Sequence, residues 1–146
     1  MESPVSLADL KEALVMASEI VRRWFAAQLA ISCRGDGSPV TRAVQETGQF
    51  LRESLAELLP SAEWLCEQSE DRLERLEAEW IWLVEPLDGT KEFLRRIPEV
   101  AISVGLVHWN EVVLGGIMNP LTHEGGVGMV AGCHEFWGMG NTHRHA

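Results

Sequence analysis

The sequence WLVEPLDGTKEF, from Trp82 to Phe93, predicts both the fold and the chemistry of this chain. The apolar run Ile81 to Val84 has the character of a buried strand, and it leads directly into two carboxylates, Glu85 and Asp88. The proline between them predicts a rigid turn at the end of the strand. Two carboxylates held in this way suit a hard divalent cation, which prefers oxygen ligands, and the threonine that follows can position a water molecule beside it. The segment therefore predicts a metal-dependent enzyme.

Length and composition favour a single soluble domain. The chain has 146 residues, of which 46% are hydrophobic and 23% charged, as is usual for globular proteins. Its net charge of −10 argues against a basic surface for a nucleic-acid polymer. An acidic protein still accepts a phosphorylated small molecule when bound Mg²⁺ reverses the local charge. The composition thus fits a chain that binds a metal ion first and a phosphate second.

The cysteines and the N-terminal residues favour a cytoplasmic protein. Cys33, Cys66 and Cys133 are widely spaced and include no CxxC pair, which argues against a disulfide framework or a zinc site. Met1 to Lys11 lacks the basic start and apolar run of a signal peptide. No apolar run reaches the roughly 20 residues of a membrane span. We therefore expect a cytoplasmic location without a membrane span.

The hydrophobic periodicity predicts two helices in the first part of the chain. Apolar residues recur at helical spacing between Leu7 and Trp24, with Ser6 as the predicted N-cap. A second helix is predicted from about Arg42 to Leu59, where Pro60 ends it. The residues Cys33 to Thr41 between them predict a polar turn region.

The second part of the chain predicts strands. Short strands are predicted at Trp64 to Cys66 and Trp80 to Val84, whereas the charged segment Ser69 to Glu79 predicts a solvated loop or a short helix. Val100 to Val107 and Glu111 to Met118 predict a hairpin with its turn at His108-Trp109-Asn110. This order of elements predicts an α+β fold, with helices packed on a mixed or antiparallel sheet. Residues 122–146, rich in glycine and histidine, are expected to be an irregular tail.

Three short motifs occur in order along the chain. Asp36 to Thr41 reads DGSPVT, Cys66 to Ser69 reads CEQS, and Glu85 to Thr90 reads EPLDGT. In this order they resemble the inositol monophosphatase superfamily of Mg²⁺-dependent, lithium-sensitive phosphatases, whose signature reads Asp-Pro-Ile/Leu-Asp-Gly-Thr. The continuation Lys91-Glu92-Phe93 is similar to the 3'(2'),5'-bisphosphate nucleotidase branch. The resemblance covers about residues 7–121 and implies the N-terminal part of a layered α/β sandwich.

The resemblance also implies a role for each residue of the site. The implied metal ligands are Glu67, Glu85, Leu87 through its carbonyl oxygen, and Asp88. The implied catalytic residues, which orient the attacking water, are Glu67 and Thr90. The implied substrate contacts are Glu67, Leu87, Asp88, Gly89 and Thr90. In such a site, metal ions activate the water and stabilise both oxygens of an in-line displacement.

Several positions depart from the family pattern. Glu85 stands where the family usually has aspartate, Val44 replaces an aspartate, and Gln68 replaces the second acid of an acidic pair. No counterpart of a later Trp-Asp motif, which supplies a further metal ligand, is found. We therefore expect 1–146 to be one incomplete phosphatase-like domain. It is predicted to expose surface that the missing half would cover, which makes a homo-oligomer possible.

These observations leave three functions open. The first is a Mg²⁺-dependent phosphomonoesterase that removes the 3'-phosphate from adenosine 3',5'-bisphosphate. The second is an inositol monophosphatase-like activity on a polyol phosphate. The third is a truncated, non-catalytic member of the family.

Overall fold

The computed structural model describes residues 3–30, 39–66, 78–130, 132–139 and 141–145. The first helix, α1, spans Leu7–Ala30 and begins where the sequence predicts. The Ser6 hydroxyl accepts a hydrogen bond from the Asp9 backbone N–H at 3.1 Å, and the Ser6 carbonyl accepts one from the Leu10 N–H at 3.1 Å. Ser6 is therefore the N-cap, because its side chain satisfies an N–H that has no partner within the helix.

The second helix, α2, spans Pro39–Leu58 and begins earlier than the predicted Arg42. A proline is well suited to the first helical position, where its missing N–H costs no hydrogen bond and its φ angle is already helical. The residues Pro39 to Thr41 are thus helical, which corrects the end of the predicted turn region, while residues 31–38 lie outside the described residues. The helix ends before Pro60, as predicted.

The strands form one seven-stranded mixed sheet in sequential order. β1 and β2 are parallel, and every later pair is antiparallel. A five-residue helix, α3, spans Thr90–Leu94 between β2 and β3. The strands are β1 Glu63–Cys66, β2 Trp80–Asp88, β3 Ala101–His108, β4 Glu111–Met118, β5 Gly125–Met129, β6 His134–Met139 and β7 Asn141–His145. This arrangement confirms the predicted α+β fold class, whereas residues 67–77, with most of the predicted Ser69 to Glu79 loop, lie outside the description.

The hairpin between β3 and β4 is confirmed. Trp109 and Asn110 have positive φ angles of 44° and 69°. Positive φ at both central residues is the requirement of a type I′ turn, whose twist matches that of the flanking strands.

The last part of the chain contradicts the prediction of an irregular tail, because β5, β6 and β7 all lie within 122–146. The glycines of β5 interrupt the alternation of apolar and polar residues by which a strand is recognised in a sequence. A Cβ on Gly125 would lie 2.3 Å from the Trp137 ring, and one on Gly126 would lie 2.6 Å from the Phe136 ring. Aromatic side chains of β6 therefore fill the space above β5, and the alternation of apolar and polar residues that marks a strand is absent from β5 itself.

The core lies between the two long helices and one face of the sheet. Buried side chains of the helices, such as Leu14 and Leu51, pack against inward-facing strand residues, such as Trp82 and Leu114. The Lys11 ammonium lies 2.6 Å from the Glu135 carboxylate and over the Trp137 ring, which joins α1 to β6. Among the described residues, none of the helices contains an apolar segment that could span a lipid bilayer.

Candidate metal-binding site at the end of β2

The predicted turn at Pro86 is not a turn. β2 continues through Glu85, Pro86 and Leu87 to Asp88, and the register with β3 shifts between Glu85 and Asp88. Such a β-bulge accommodates a proline in a strand, because the ladder hydrogen bonds are already interrupted there. Pro86 is buried, and a Cβ on Gly48 of α2 would lie 3.3 Å from the Pro86 Cγ. The rigidity of the segment therefore comes from a bulge packed on α2.

The bulge directs both carboxylates to one face of the sheet. Glu85 pairs with Ser103, and Asp88 pairs with Ala101. Two residues of β2 thus lie opposite one residue of β3, Ile102. In a regular strand, residues three apart point to opposite faces. Ser103 and Ala101 are two residues apart and therefore share a face of the sheet. The extra residue in β2 brings their partners, Glu85 and Asp88, to that same face. The half-buried Glu85 and the exposed Asp88 therefore lie on the face that the two long helices leave uncovered.

Gly89 makes a sharp change of direction after the strand. Its φ angle is 90°, in the left-handed region, and a Cβ would lie 2.6 Å from the Glu99 carbonyl oxygen. Both facts require glycine at this position. The chain then enters α3 at Thr90, which is exposed, and the Gly89 carbonyl accepts a hydrogen bond from the Phe93 N–H at 2.9 Å. Asp88, Gly89 and Thr90 are thus held together at the end of β2.

A contact with α1 fixes the position of α3. The buried Phe93 ring packs edge-to-face on Phe25, with ring centroids 5.3 Å apart. The Gln28 side-chain amide donates a hydrogen bond to the Phe93 carbonyl. This anchoring keeps the Asp88 to Thr90 segment on a rigid support, as a precise site requires.

A broad cavity of about 820 Å³ opens beside Asp88, on the uncovered face of the sheet. Polar residues that the sequence analysis did not identify line it: Glu99, Ser103, Asn119 and Glu124. They come from three separate places in the chain, and only the register of the sheet brings them together. Ser103 lies within a predicted strand, but no pattern in the sequence pairs that strand with the motif.

The visible donors are of the kind that Mg²⁺ prefers, although they do not make a full ligand set. Glu85, Asp88 and the Leu87 carbonyl all offer oxygen atoms. Among the described residues, no group of three His, Cys, Asp or Glu side chains is close enough to hold one ion. Glu67 and Gln68 lie outside the described residues. Cys66, the last described residue of β1, pairs with Val84, which directly precedes Glu85.

Val44 contributes no ligand. It lies in α2 with its side chain buried in the hydrophobic core. Where the family resemblance would place an aspartate, this chain therefore has a packing residue.

The comparisons with known proteins identify the family of the chain. The model of the "Inositol monophosphatase family" matches residues 1–139. The chain is 31% identical over 137 residues to the bifunctional phosphatase IMPL2, chloroplastic, of Arabidopsis thaliana, covering 88% of this chain and 40% of that protein. It is 33% identical over 117 residues to the 3'(2'),5'-bisphosphate nucleotidase CysQ of Aggregatibacter actinomycetemcomitans, covering 79% of this chain and 44% of the relative.

Solved structures show the same architecture. CysQ from Bacteroides thetaiotaomicron aligns with a TM-score of 0.77 and 25% identity, covering 89% of this chain and 48% of that one. The extragenic suppressor protein suhB from Bartonella henselae aligns with a TM-score of 0.74 and 24% identity, covering 89% of this chain and 50% of the other. The chain thus spans about half the length of these proteins, or somewhat less.

Proposed function

Because the chain belongs to the inositol monophosphatase family, we propose that it supplies the Mg²⁺-binding carboxylates of a phosphomonoesterase. One observation carries the proposal: the bulge turns Glu85 and Asp88 onto the same face of the sheet, where Asp88 lines a cavity. A cation bound by these carboxylates reverses the local charge, which allows an anionic phosphate to bind.

Each residue of the segment has a proposed task. Glu85, Asp88 and the Leu87 carbonyl hold the cation, with Glu67 as a further proposed ligand because its neighbour Cys66 lies beside Val84. When bound, Mg²⁺ supplies the positive charge that neutralises a phosphate and acidifies water.

Residues of the chain itself are proposed to orient the attacking water and to position the phosphate. The Thr90 hydroxyl, with Glu67, orients the attacking water. The backbone from Asp88 to Thr90, fixed by Gly89 and α3, positions the phosphate. Positioning and charge neutralisation are most of what phosphoryl transfer requires.

For the substrate we propose adenosine 3',5'-bisphosphate, with loss of the 3'-phosphate. The Lys91-Glu92-Phe93 continuation of the motif and the similarity to CysQ proteins support this choice. A polyol phosphate is the alternative, since the chain is also 35% identical over 96 residues to the inositol-1-monophosphatase of Rhizobium meliloti, covering 66% of this chain and 36% of that protein. The third possibility, a non-catalytic family member, is supported by Val44 and by glutamate at position 85.

The test is phosphate release from adenosine 3',5'-bisphosphate and, separately, from inositol 1-phosphate, each with and without Mg²⁺. We expect release from the first substrate only when Mg²⁺ is present. Release from the second substrate alone favours the polyol phosphatase. No release from either, together with no shift of the melting temperature on adding Mg²⁺, contradicts both enzymatic functions and leaves the non-catalytic one.

The variant Asp88→Asn tests the proposed ligand. We expect it to abolish Mg²⁺-dependent release, because an amide oxygen lacks the charge that binds the cation. Glu111→Gln is the matched control. It removes the same charge from an exposed residue at the start of β4, the end of that strand that lies away from Asp88. Equal loss in both variants would show that overall charge, and not the Asp88 ligand, matters.

A further inference from the structure

A cluster of basic residues directly follows the candidate site. Lys91 is the second residue of α3, and Arg95 and Arg96 follow the helix. All three are exposed. The whole chain has 12 lysines and arginines against 22 acidic residues, yet three of the basic residues fall between Lys91 and Arg96. Positive charge is therefore concentrated next to Thr90 in a protein that is strongly acidic as a whole.

Lys91 and Arg95 lie on the same face of α3. They are four residues apart, which makes them neighbours on a helix surface, and the Arg95 N–H donates a hydrogen bond to the Lys91 carbonyl at 3.0 Å. Phe93, two residues from each, lies on the opposite face and is buried against Phe25. The contact that anchors α3 thus directs the two basic side chains away from the core.

The chain leaves α3 through a backbone conformation that is unfavourable for arginine. Arg96 has a φ angle of 63°, in the left-handed region. Its N–H donates to the Phe93 carbonyl at 3.2 Å, and the Ile97 N–H donates to the Glu92 carbonyl at 2.8 Å. These two hydrogen bonds form a Schellman motif, in which glycine is usual at the left-handed position because a side chain is strained there. An arginine at this position indicates a task for its side chain outside the helix.

The basic cluster lies at the rim of the cavity. Asp88, shortly before α3, and Glu99, shortly after it, both line the cavity. The chain therefore leaves the cavity wall, passes through α3 and returns to the wall. Lys91 follows Thr90 directly, and Arg95 lies about 6 Å farther along the helix axis, since each residue adds about 1.5 Å. Because both side chains are long and flexible, they can reach a group held beside Thr90.

A basic cluster beside a proposed phosphatase site fits a second phosphate group on the ligand. In the proposed function, the phosphate that reacts is neutralised by Mg²⁺. A second phosphate on the same ligand also carries a charge of about −1.5 to −2 at pH 7 and is not the one held by the metal. Arginine suits such a group, because its planar guanidinium can donate two parallel hydrogen bonds to one phosphate.

We propose that Lys91, Arg95 and Arg96 form a cationic subsite that binds the second phosphate of a bisphosphate ligand, while the phosphate that reacts lies at Asp88 to Thr90. The subsite rests on the proposed function, since that function defines which phosphate reacts. It deepens the function by assigning the residues that distinguish a bisphosphate from a polyol monophosphate. In adenosine 3',5'-bisphosphate, the second group is the 5'-phosphate.

The test is the binding of two ligands to the 146-residue chain, measured by isothermal titration calorimetry with Ca²⁺ in place of Mg²⁺. Ca²⁺ takes the same oxygen ligands in a less strict geometry, so binding is measured apart from Mg²⁺-dependent phosphate release. Adenosine 3',5'-bisphosphate carries both phosphates, whereas adenosine 3'-monophosphate carries only the one that reacts. A difference in affinity between the two ligands therefore reports on the second phosphate.

Lys91→Gln and Arg95→Gln each remove one charge of the subsite. We expect the affinity for the bisphosphate to fall about tenfold in each variant, as the loss of a hydrogen bond between charged groups implies, and the affinity for the monophosphate to stay the same. Arg52→Gln is the matched control, because it removes the same charge from an exposed residue of α2. Its affinity for both ligands should not change.

Arg96→Gly separates binding from stability. We expect its melting temperature to be unchanged or raised, because glycine adopts the left-handed conformation without strain, whereas its affinity for the bisphosphate should fall. A lower melting temperature would show that the arginine packs in the fold and would overturn its assignment to the subsite.

The outcomes separate the subsite from the proposed function. Equal loss of affinity for both ligands, or loss for neither, in the variants of Lys91 and Arg95 overturns the subsite, even where Mg²⁺-dependent phosphate release is observed. A chain that binds neither ligand also overturns it. Selective loss of affinity for the bisphosphate, in a chain that releases no phosphate, supports the subsite and contradicts the proposed function alone.

Discussion

The two faces of the sheet are built from the same strands but in opposite ways. Gly115 and Gly116 are neighbours in β4, yet a Cβ on Gly116 would collide with Leu14, whereas one on Gly115 would meet only ordinary contacts. The covered face is completed by α1 and α2 and is filled by large side chains. The uncovered face of the sheet, here called the open face, has glycines, the exposed apolar side chains of Leu83, Ile117 and Phe136, and the carboxylates of Glu85 and Asp88. The difference separates the residues that stabilise this chain from those proposed to bind a ligand.

Truncating a side chain on each face should give the largest difference in the free energy of unfolding. Leu14→Ala should lower the free energy of unfolding by about 2–5 kcal/mol, because Leu14 is fully buried against the sheet and its loss leaves a cavity. Ile117→Ala on the open face should change it by less than about 0.5 kcal/mol. Urea denaturation measures both. Similar losses for the two variants would show that the open face is covered in the isolated chain.

A smaller difference is expected from adding one methyl group to each face. Gly125→Ala should destabilise the chain by about 1–3 kcal/mol, because the Trp137 ring must shift. Gly128→Ala, in the same strand β5, should cost nothing measurable. Thermal unfolding of the two variants compares them, and a cost at Gly128 equal to that at Gly125 would contradict the assignment of the two faces.

The smallest effect is expected at the outer surface of the helices. The Arg23 guanidinium lies 2.8 Å from the Glu46 carboxylate and joins α1 to α2, but both side chains are largely exposed. Arg23→Ala should cost about 0.2–1 kcal/mol, and less at high salt, because solvent screens such pairs. A larger loss by urea denaturation, insensitive to salt, would indicate a role in packing.

The sequence predicts the elements whose pattern is local. The spacing of apolar residues from Leu7 to Trp24 and the Ser6 cap locate the start of α1, which continues to Ala30. His108-Trp109-Asn110 marks the hairpin, whose two turn residues are Trp109 and Asn110. The strands of 122–146 escape prediction, because the aromatic rings that complete β5 belong to β6. Contacts between strands are not visible in the sequence of one strand.

In the candidate site, too, the local pattern can be predicted from the sequence and the contacts between strands cannot. Its contiguous residues, Glu85 to Thr90, are identified by their motif, although proline there suggests a turn and the structure has a bulge. The orientation of the carboxylates depends on pairing with Ala101 and Ser103, which no local pattern specifies. The roles of Glu67, Glu85, Leu87, Asp88, Gly89 and Thr90 in metal and substrate binding remain predictions.

The central claim is that the bulge brings Glu85 and Asp88 to one face, where they hold a divalent cation. Paramagnetic Mn²⁺, titrated in place of Mg²⁺ into isotope-labelled protein, broadens the amide resonances nearest to it. The account predicts selective broadening at Asp88 to Thr90, Ala101 and Ser103, and its loss in Asp88→Asn but not in Glu111→Gln. Broadening centred elsewhere, or unchanged by Asp88→Asn, would contradict it.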